Sequence, residues 1–195
     1  MGKIFCLMGK SSSGKDTIFK ELIKDKDLNL KPLIPYTTRP IRKNETNGVE
    51  YYFIDEPTLE EFKKRNKVIE LREYNTVQGK WYYCTVDDGQ LDLENNNYLI
   101  ITTIEAFKNL RAYFGSERIF PIYIHVDDGI RLARALKREQ KQSSPDYAEL
   151  CRRFLADHND FSTEVLKENG ITKAYENNNF RKCVNSIKRD IKMNM

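Results

Sequence analysis

The stretch that decides the fold is Met8-Gly9-Lys10-Ser11-Ser12-Ser13-Gly14-Lys15-Asp16-Thr17. The apolar run before it, Ile4-Phe5-Cys6-Leu7-Met8, has the content of a strand buried on both faces. After it, Ile18, Phe19, Leu22 and Ile23 recur at the spacing of one helix face. Strand, glycine-bearing loop and helix form the setting of a phosphate-binding loop, and Gly9, Gly14 and Lys15 take its G-x-x-x-x-G-K positions. Glycines let the backbone curl until several N–H groups converge on one anion. The helix N-terminus adds its partial positive charge, and Lys15 reaches the outer phosphates of a nucleotide. A chance glycine-rich turn would not need both flanking elements. One position departs from the motif: Asp16 stands where a Ser or Thr hydroxyl holds Mg²⁺.

The 195 residues suffice for one domain with a substantial core. Hydrophobic residues make up 39% and charged residues 32%, and no apolar run approaches the ~20 residues of a membrane helix. The chain enters its first strand at once, without the regions of a secretory signal, so the expected location is cytoplasmic. Cys6, Cys84, Cys151 and Cys183 show no C-x-x-C pairing, which argues against zinc and a disulfide framework and makes them small, mostly buried hydrophobes. His125 and His158 are isolated and are expected to be structural or at the surface. A net charge of +4 is too mild to indicate nucleic acid. Monomer and homodimer stay equally open.

Residues 30–36 read as a second strand, leading into Thr37-Thr38-Arg39-Pro40-Ile41-Arg42. Prolines extend this loop, and its arginines suit bidentate phosphate recognition; the plain alternative is a solvated basic loop. A turn at 44–48 ends in Asn-Gly. Strands follow at 49–54, 68–74 and 80–86, with Thr58 opening a short capped helix between the first two. This β-rich, antiparallel-patterned stretch of 36–86 differs from the βα units around it. A strand at 98–101, a helix at 104–114 and a strand at 119–126 resume the α/β pattern, and Pro121 suggests an irregular start or edge position for the last. A helix over 130–140, capped by Asp127 or Asp128, places Arg131, Arg134, Lys137 and Arg138 on one face. Ser143-Ser144-Pro145 breaks it, and a helix carrying Arg152 and Arg153 follows. The pair has the composition of a mobile lid over phosphates, or of an ordinary solvated helix pair. A last strand at 171–175 leads to a helix over 180–191 capped from Asn177-Asn178-Asn179.

Together these features resemble the guanylate kinases, P-loop enzymes that phosphorylate GMP with ATP, over nearly the whole chain. The most specific match is Thr37-Thr38-Arg39-Pro40-Ile41-Arg42 followed by Gly48-Val49-Glu50-Tyr51-Tyr52-Phe53, similar to the family's S-x-T-T-R-x-x-R…N-G-x-x-Y-x-F segment. The resemblance implies a three-layer α/β/α P-loop fold with a parallel core sheet. It implies a core of 1–35, 87–130 and 168–195, a GMP-binding subdomain of 36–86 and a helical lid of 131–167. ATP would be held by Gly9, Lys10, Ser11, Ser12, Ser13, Gly14, Lys15, Asp16, Thr17 and Asn177. Arg39, Arg42, Tyr51 and Tyr83 would hold the GMP phosphate. Glu70 and Thr85 would read guanine, since a carboxylate accepts from both N1–H and the 2-amino group, a donor pair adenine lacks. Lys15, Arg39, Arg134, Arg138 and Arg153 would be catalytic, with Mg²⁺ on Asp16. ATP and GMP are then the partners, with no role for nucleic acid or membrane.

The chain also departs from that pattern. Pro35 and Tyr36 replace serines, and Ile101 and Thr103 stand where a D-x-D pair follows the strand. A short insertion lies near Thr76-Val77-Gln78, and the usual R-G-T sequence is missing from the lid. The alternatives are the same scaffold with another phosphorylated acceptor, a nucleotide or sugar phosphate, and a non-catalytic module that binds phosphopeptides through the same arginines.

Overall fold

β1 (Ile4–Met8) is buried along its whole length, and its side chains alternate between two separate cores. Ile4, Cys6 and Met8 enter one, with Ile104, Phe107 and Leu110 of α3 (Ile104–Phe114). Phe5 and Leu7 enter the other, with Ile18 and Leu22 of α1 (Lys15–Lys24) and Val184, Ile187 and Ile191 of α7 (Phe180–Asn194). A strand apolar on both faces thus requires helices on both, which is a three-layer α/β/α sandwich. In this computed structural model, residues 2–42, 45–76 and 79–195 are described. Asn44, at the start of the expected turn, and Val77 and Gln78, in the insertion, lie outside them.

The central sheet is wholly parallel, in the order β2 (Leu30–Pro32), β7 (Asn97–Ile101), β1, β8 (Ile119–His125), β9 (Ala174–Glu176). Crossover from β1 through α1 places the loop at 9–14 at the carboxyl end of the central strand, where open α/β sheets bind ligands. A second sheet, β4 (Tyr52–Phe53), β3 (Tyr36–Thr37), β6 (Gly79–Val86), β5 (Val68–Thr76), has its own small core of Tyr36, Leu59, Cys84 and Val86. Leu59 comes from α2 (Glu56–Lys64).

Several local expectations are corrected. Residues 30–36 are not one strand. β2 ends at Pro32 and β3 begins at Tyr36, and the chain crosses between the sheets through buried Leu33, Ile34 and Pro35. Two prolines in four residues remove the donors a continuous ladder needs. The 49–54 strand shrinks to Tyr52–Phe53 and pairs parallel to β3, so the sheet is mixed. Asp55, not Thr58, caps α2, accepting the Thr58 N–H at 2.9 Å. Pro121 sits inside β8, opposite Cys6, in the part of the strand that β9 does not reach. The proline is therefore at an edge locally, although its strand is not.

The arginine helices are α4 (Asp128–Glu139), capped by Asp127, and α5 (Tyr147–Asp160). A further short helix, α6 (Thr163–Glu168), had no apolar period to announce it. Cys6, Cys84 and Cys183 are buried and Cys151 is exposed. His158 is a surface residue, and His125 pairs with Glu176 at 2.9 Å.

Candidate active site

The loop after β1 needs backbone conformations that L side chains avoid. Gly9 has φ +153°, and a Cβ there would lie 2.6 Å from the Ile124 carbonyl oxygen. Gly14 has φ +92°, and a Cβ there would meet Asn177 Nδ2 at 2.7 Å. Asn177 is buried and donates to the Ser13 carbonyl at 2.8 Å, so it props the loop from beneath. Lys15 Nζ donates to the carbonyls of Gly9 at 2.6 Å and Lys10 at 3.1 Å, folding the ammonium over the loop. Burial pushes Lys15 below its ordinary value, against the pull of the Asp16 and Asp157 carboxylates. A cleft of about 500 Å³ opens here, lined by Ser12, Lys15, Asp16, Thr17, Arg134 and Arg138 among others. Its size suits a nucleotide.

The lid helices dock on this loop. Arg134 Nη1 lies 3.4 Å from the Ser12 carbonyl, Arg138 Nη2 3.4 Å from Ser12 Oγ, and Arg153 Nη2 3.3 Å from Ser11 Oγ. The three expected lid arginines thus converge on one side of the phosphate loop. Three further residues that sequence reading did not place at the loop hold it. Arg131 is 1% exposed, donates to the Ser11 carbonyl at 2.9 Å and to Asp128 at 2.8 Å, and lies over the Phe154 ring. Asp157 Oδ2 accepts the Ser11 N–H at 2.7 Å. Asp128 also accepts from Lys10 Nζ at 3.2 Å, so Lys10 reaches α4 rather than the cleft. Arg131 was visible as one of a helical face of cations; its separation from them by burial was not.

The second sheet carries the other half. Arg39 is buried, with its guanidinium flanked by the Tyr51 and Phe53 rings at 5.5 and 5.4 Å. Nε donates to Tyr83 Oη at 3.1 Å, and Nη1 and Nη2 fork onto Glu45 at 2.9 Å each. Burial raises the Glu45 carboxyl, but the Arg39 fork and the Arg42 amide outweigh it and hold it below the usual range. Glu45 was missed because a turn glutamate has no local signature. Arg42 is exposed at the rim. Tyr51 and Tyr83 pack edge to face at 5.5 Å.

Glu70 is buried on β5 and accepts from Thr85 Oγ1 on β6 at 2.8 Å, so the two expected base-reading residues meet across the ladder. Arg72, two residues on and thus on the same face, was missed. It forks onto Glu70 and reaches Thr103 Oγ1 at 3.4 Å. Thr103 also caps α3 through the Ala106 N–H. The Tyr51 phenol is pushed up first by burial, then by Tyr83, and also by the Asp16 carboxylate. Through Arg72 and Thr103 the second sheet meets the carboxyl end of β7, the strand beside β1 and its loop.

The guanylate kinase family model matches residues 1–183. The chain belongs to the guanylate kinase family. Guanylate kinase of Porphyromonas gingivalis is 32% identical over 126 residues, 64% of this chain and 65% of that protein. That of Malacoplasma penetrans is 31% identical over 137 residues, 70% of this chain and 68% of its own. That of Bacteroides thetaiotaomicron is 35% identical over 63% of this chain and 59% of its own. The matched stretches thus span about two thirds or less of these relatives. A crystal structure of guanylate kinase from Anaplasma phagocytophilum superposes with a TM-score of 0.68 at 16% identity, covering 98% of this chain and 85% of that one. At that identity the likeness is one of fold, and it agrees with the three-layer guanylate kinase architecture described above. No helix among the described residues is long and apolar enough to cross a membrane.

Proposed function

We propose that this chain transfers the γ-phosphoryl group of ATP to GMP or dGMP, giving ADP and the nucleoside diphosphate. The observation that carries this is the pairing of a phosphate loop bearing Lys15 with a second-sheet pocket, joined to the core through Arg72 and Thr103, that holds Arg39, Tyr51 and Tyr83 beside buried Glu70 and Thr85. The division of labour follows the chain: core of 1–35, 87–130 and 168–195, acceptor subdomain of 36–86, lid of 131–167. Family membership supports a cytoplasmic nucleotide-metabolic role.

Phosphoryl transfer has a loose transition state, so positioning and charge neutralisation do most of the catalysis. The N–H groups of the loop and Lys15 hold the outer phosphates of ATP. Arg39, Arg42, Tyr51 and Tyr83 hold the GMP phosphate so that one of its oxygens attacks the γ-phosphorus in line. The bond from that phosphorus to the β-bridging oxygen breaks, and ADP leaves. Arg134, Arg138 and Arg153 offset charge on the transferring group, and the docked lid excludes water. Among the described residues no group of three His, Cys, Asp or Glu side chains is placed to hold a metal. The donors fit Mg²⁺ all the same, because that ion takes one or two carboxylates and substrate phosphates. Asp16 and Thr17, both exposed at the head of α1, would be its protein partners. Mg²⁺ when bound neutralises charge on the β- and γ-phosphates.

ADP release from ATP is measured with GMP, dGMP, AMP, CMP, UMP and sugar phosphates offered in turn. Turnover with GMP and dGMP is expected, and Lys15→Ala should abolish it while leaving the circular dichroism spectrum intact. Silence with every acceptor would favour the phosphopeptide-binding module.

A further inference from the structure

Glu70 is more fully engaged than a free base-reading carboxylate should be. Its side chain is 0% exposed. Oε1 accepts from Thr85 Oγ1 at 2.8 Å and from Arg72 Nη2 at 3.1 Å, and Oε2 accepts from Arg72 Nε at 2.9 Å. A carboxylate oxygen offers about two lone pairs. Oε1 is therefore saturated, while Oε2 keeps one site. Guanine presents N1–H and its 2-amino group side by side and needs one site on each oxygen. The Arg72 Nη2 bond to Oε1 must break for both donors to be accepted.

The released N–H group does not stay idle. Arg72 is 10% exposed, and its guanidinium lies over the Tyr83 ring at 5.9 Å. Among the described residues its third nitrogen, Nη1, is held only by a long contact of 3.4 Å to the neutral Thr103 hydroxyl. A carboxylate at 103 would clamp this nitrogen; a hydroxyl lets it go. The oxygen at C6 of guanine is next to N1, so a base seated on Glu70 brings that acceptor to the guanidinium beside it. Arginine donors match the O6 and N7 acceptors of guanine.

We propose that Arg72 is a specificity-determining residue of the acceptor pocket, donating to the 6-oxo group of the base while Glu70 accepts from N1–H and the 2-amino group. The proposal rests on GMP as the acceptor. Arg72 exchanges a bond to Glu70 for one to the base, so the buried cation is never left without an acceptor. Adenine inverts the pattern at both points: its 6-amino group faces the Arg72 donors, and its N1 acceptor faces the Glu70 carboxylate. Each mismatch leaves a buried polar group unpaired.

Equilibrium binding by titration calorimetry without ATP tests this, with GMP, IMP and 6-thio-GMP as probes. Sulfur is a weak acceptor, so 6-thio-GMP is expected to bind wild type about tenfold more weakly than GMP. Arg72→Ala should weaken GMP about tenfold and bring the GMP to 6-thio-GMP ratio close to one. The GMP to IMP ratio, which reports the 2-amino contact to Glu70, should survive in Arg72→Ala and collapse in Glu70→Gln. If Arg72→Ala weakens GMP and 6-thio-GMP equally, Arg72 merely positions Glu70 and the proposal is overturned with the GMP reading intact. If wild type binds none of the three, that reading falls and takes the proposal with it. Should Arg72→Ala not fold, Arg72→Gln replaces it, since it keeps a donor for Glu70 but is too short to reach the base as well. The same ratio then decides.

Discussion

Asp16 puts a carboxylate at the head of α1, exposed in the cleft beside Lys15. If it is the protein's oxygen donor to the metal, Asp16→Ala should raise the Mg²⁺ concentration needed for half-maximal turnover several-fold. Asp16→Ser, which restores the hydroxyl of the usual motif, should largely be tolerated. Metal titrations of the three proteins compare them directly. Gly14 tests the loop itself. A methyl group there is strained at φ +92° and meets Asn177 Nδ2 at 2.7 Å. Gly14→Ala should cost about 1–2 kcal/mol in stability and weaken ATP more than GMP, seen by denaturant melts and separate nucleotide titrations. Lys15 was legible from motif spacing, whereas Glu70 and Thr85 were singled out only by the family resemblance, and the ladder places those two side by side. Glu45, Arg72 and Asp157 were not legible, since each is defined by a partner rather than by a pattern. Asp157 finds the Ser11 amide across 146 positions of sequence, and no local periodicity encodes such a meeting.

Among the elements, α4 shows how burial sorts residues of one type. Arg131 and Arg134 share a helical face, yet Arg131 is sealed beneath the loop while Arg134 remains exposed. Arg131→Met should cost about 2–3 kcal/mol, less than a fully buried pair because Asp128 is 38% exposed to water. Urea unfolding monitored at Trp81 would measure it. Arg134→Ala should leave stability unchanged and lower kcat by 10³-fold or so if the arginine meets the transferring group. Helix α3 was readable to the residue, because Thr103 caps one end and Gly115 at φ +89° ends the other. β2 and β3 were not separable in the same way. Their apolar content is continuous, and only the placement of Pro32 and Pro35 tells that the chain changes sheets.

For the whole molecule, the carboxylates set the acid limit. Glu45, Asp128 and Asp190 are each raised by burial but lowered more by the cations and hydrogen bonds around them, so all titrate below their ordinary values in the folded chain. Between the folded and unfolded values the unfolded chain binds more protons. Their stabilisation is therefore complete above the unfolded values, by about pH 5, and drains away as pH falls through the lower folded ones. The denaturant midpoint should be flat from about pH 5 to 7 and drop steeply below. Thiol chemistry reports the same packing. Burial raises Cys84 to about 12 and Cys183 to about 11, whereas Cys151 is exposed. A thiol reagent at neutral pH should modify Cys151 quickly and the other cysteines only after denaturation.

The supports of the phosphate loop also bear on how the protein is made. Ser11 is held by Arg131 and Asp157, and Ser13 by Asn177, at separations of 120, 146 and 164 residues. A ribosome therefore delivers the loop well before the groups that hold its shape, which follow 120 to 164 residues later. Nascent chains halted before residue 131 would carry the strand and glycines of the site but none of these three props. The first piece of the site to be synthesised is the last to be finished.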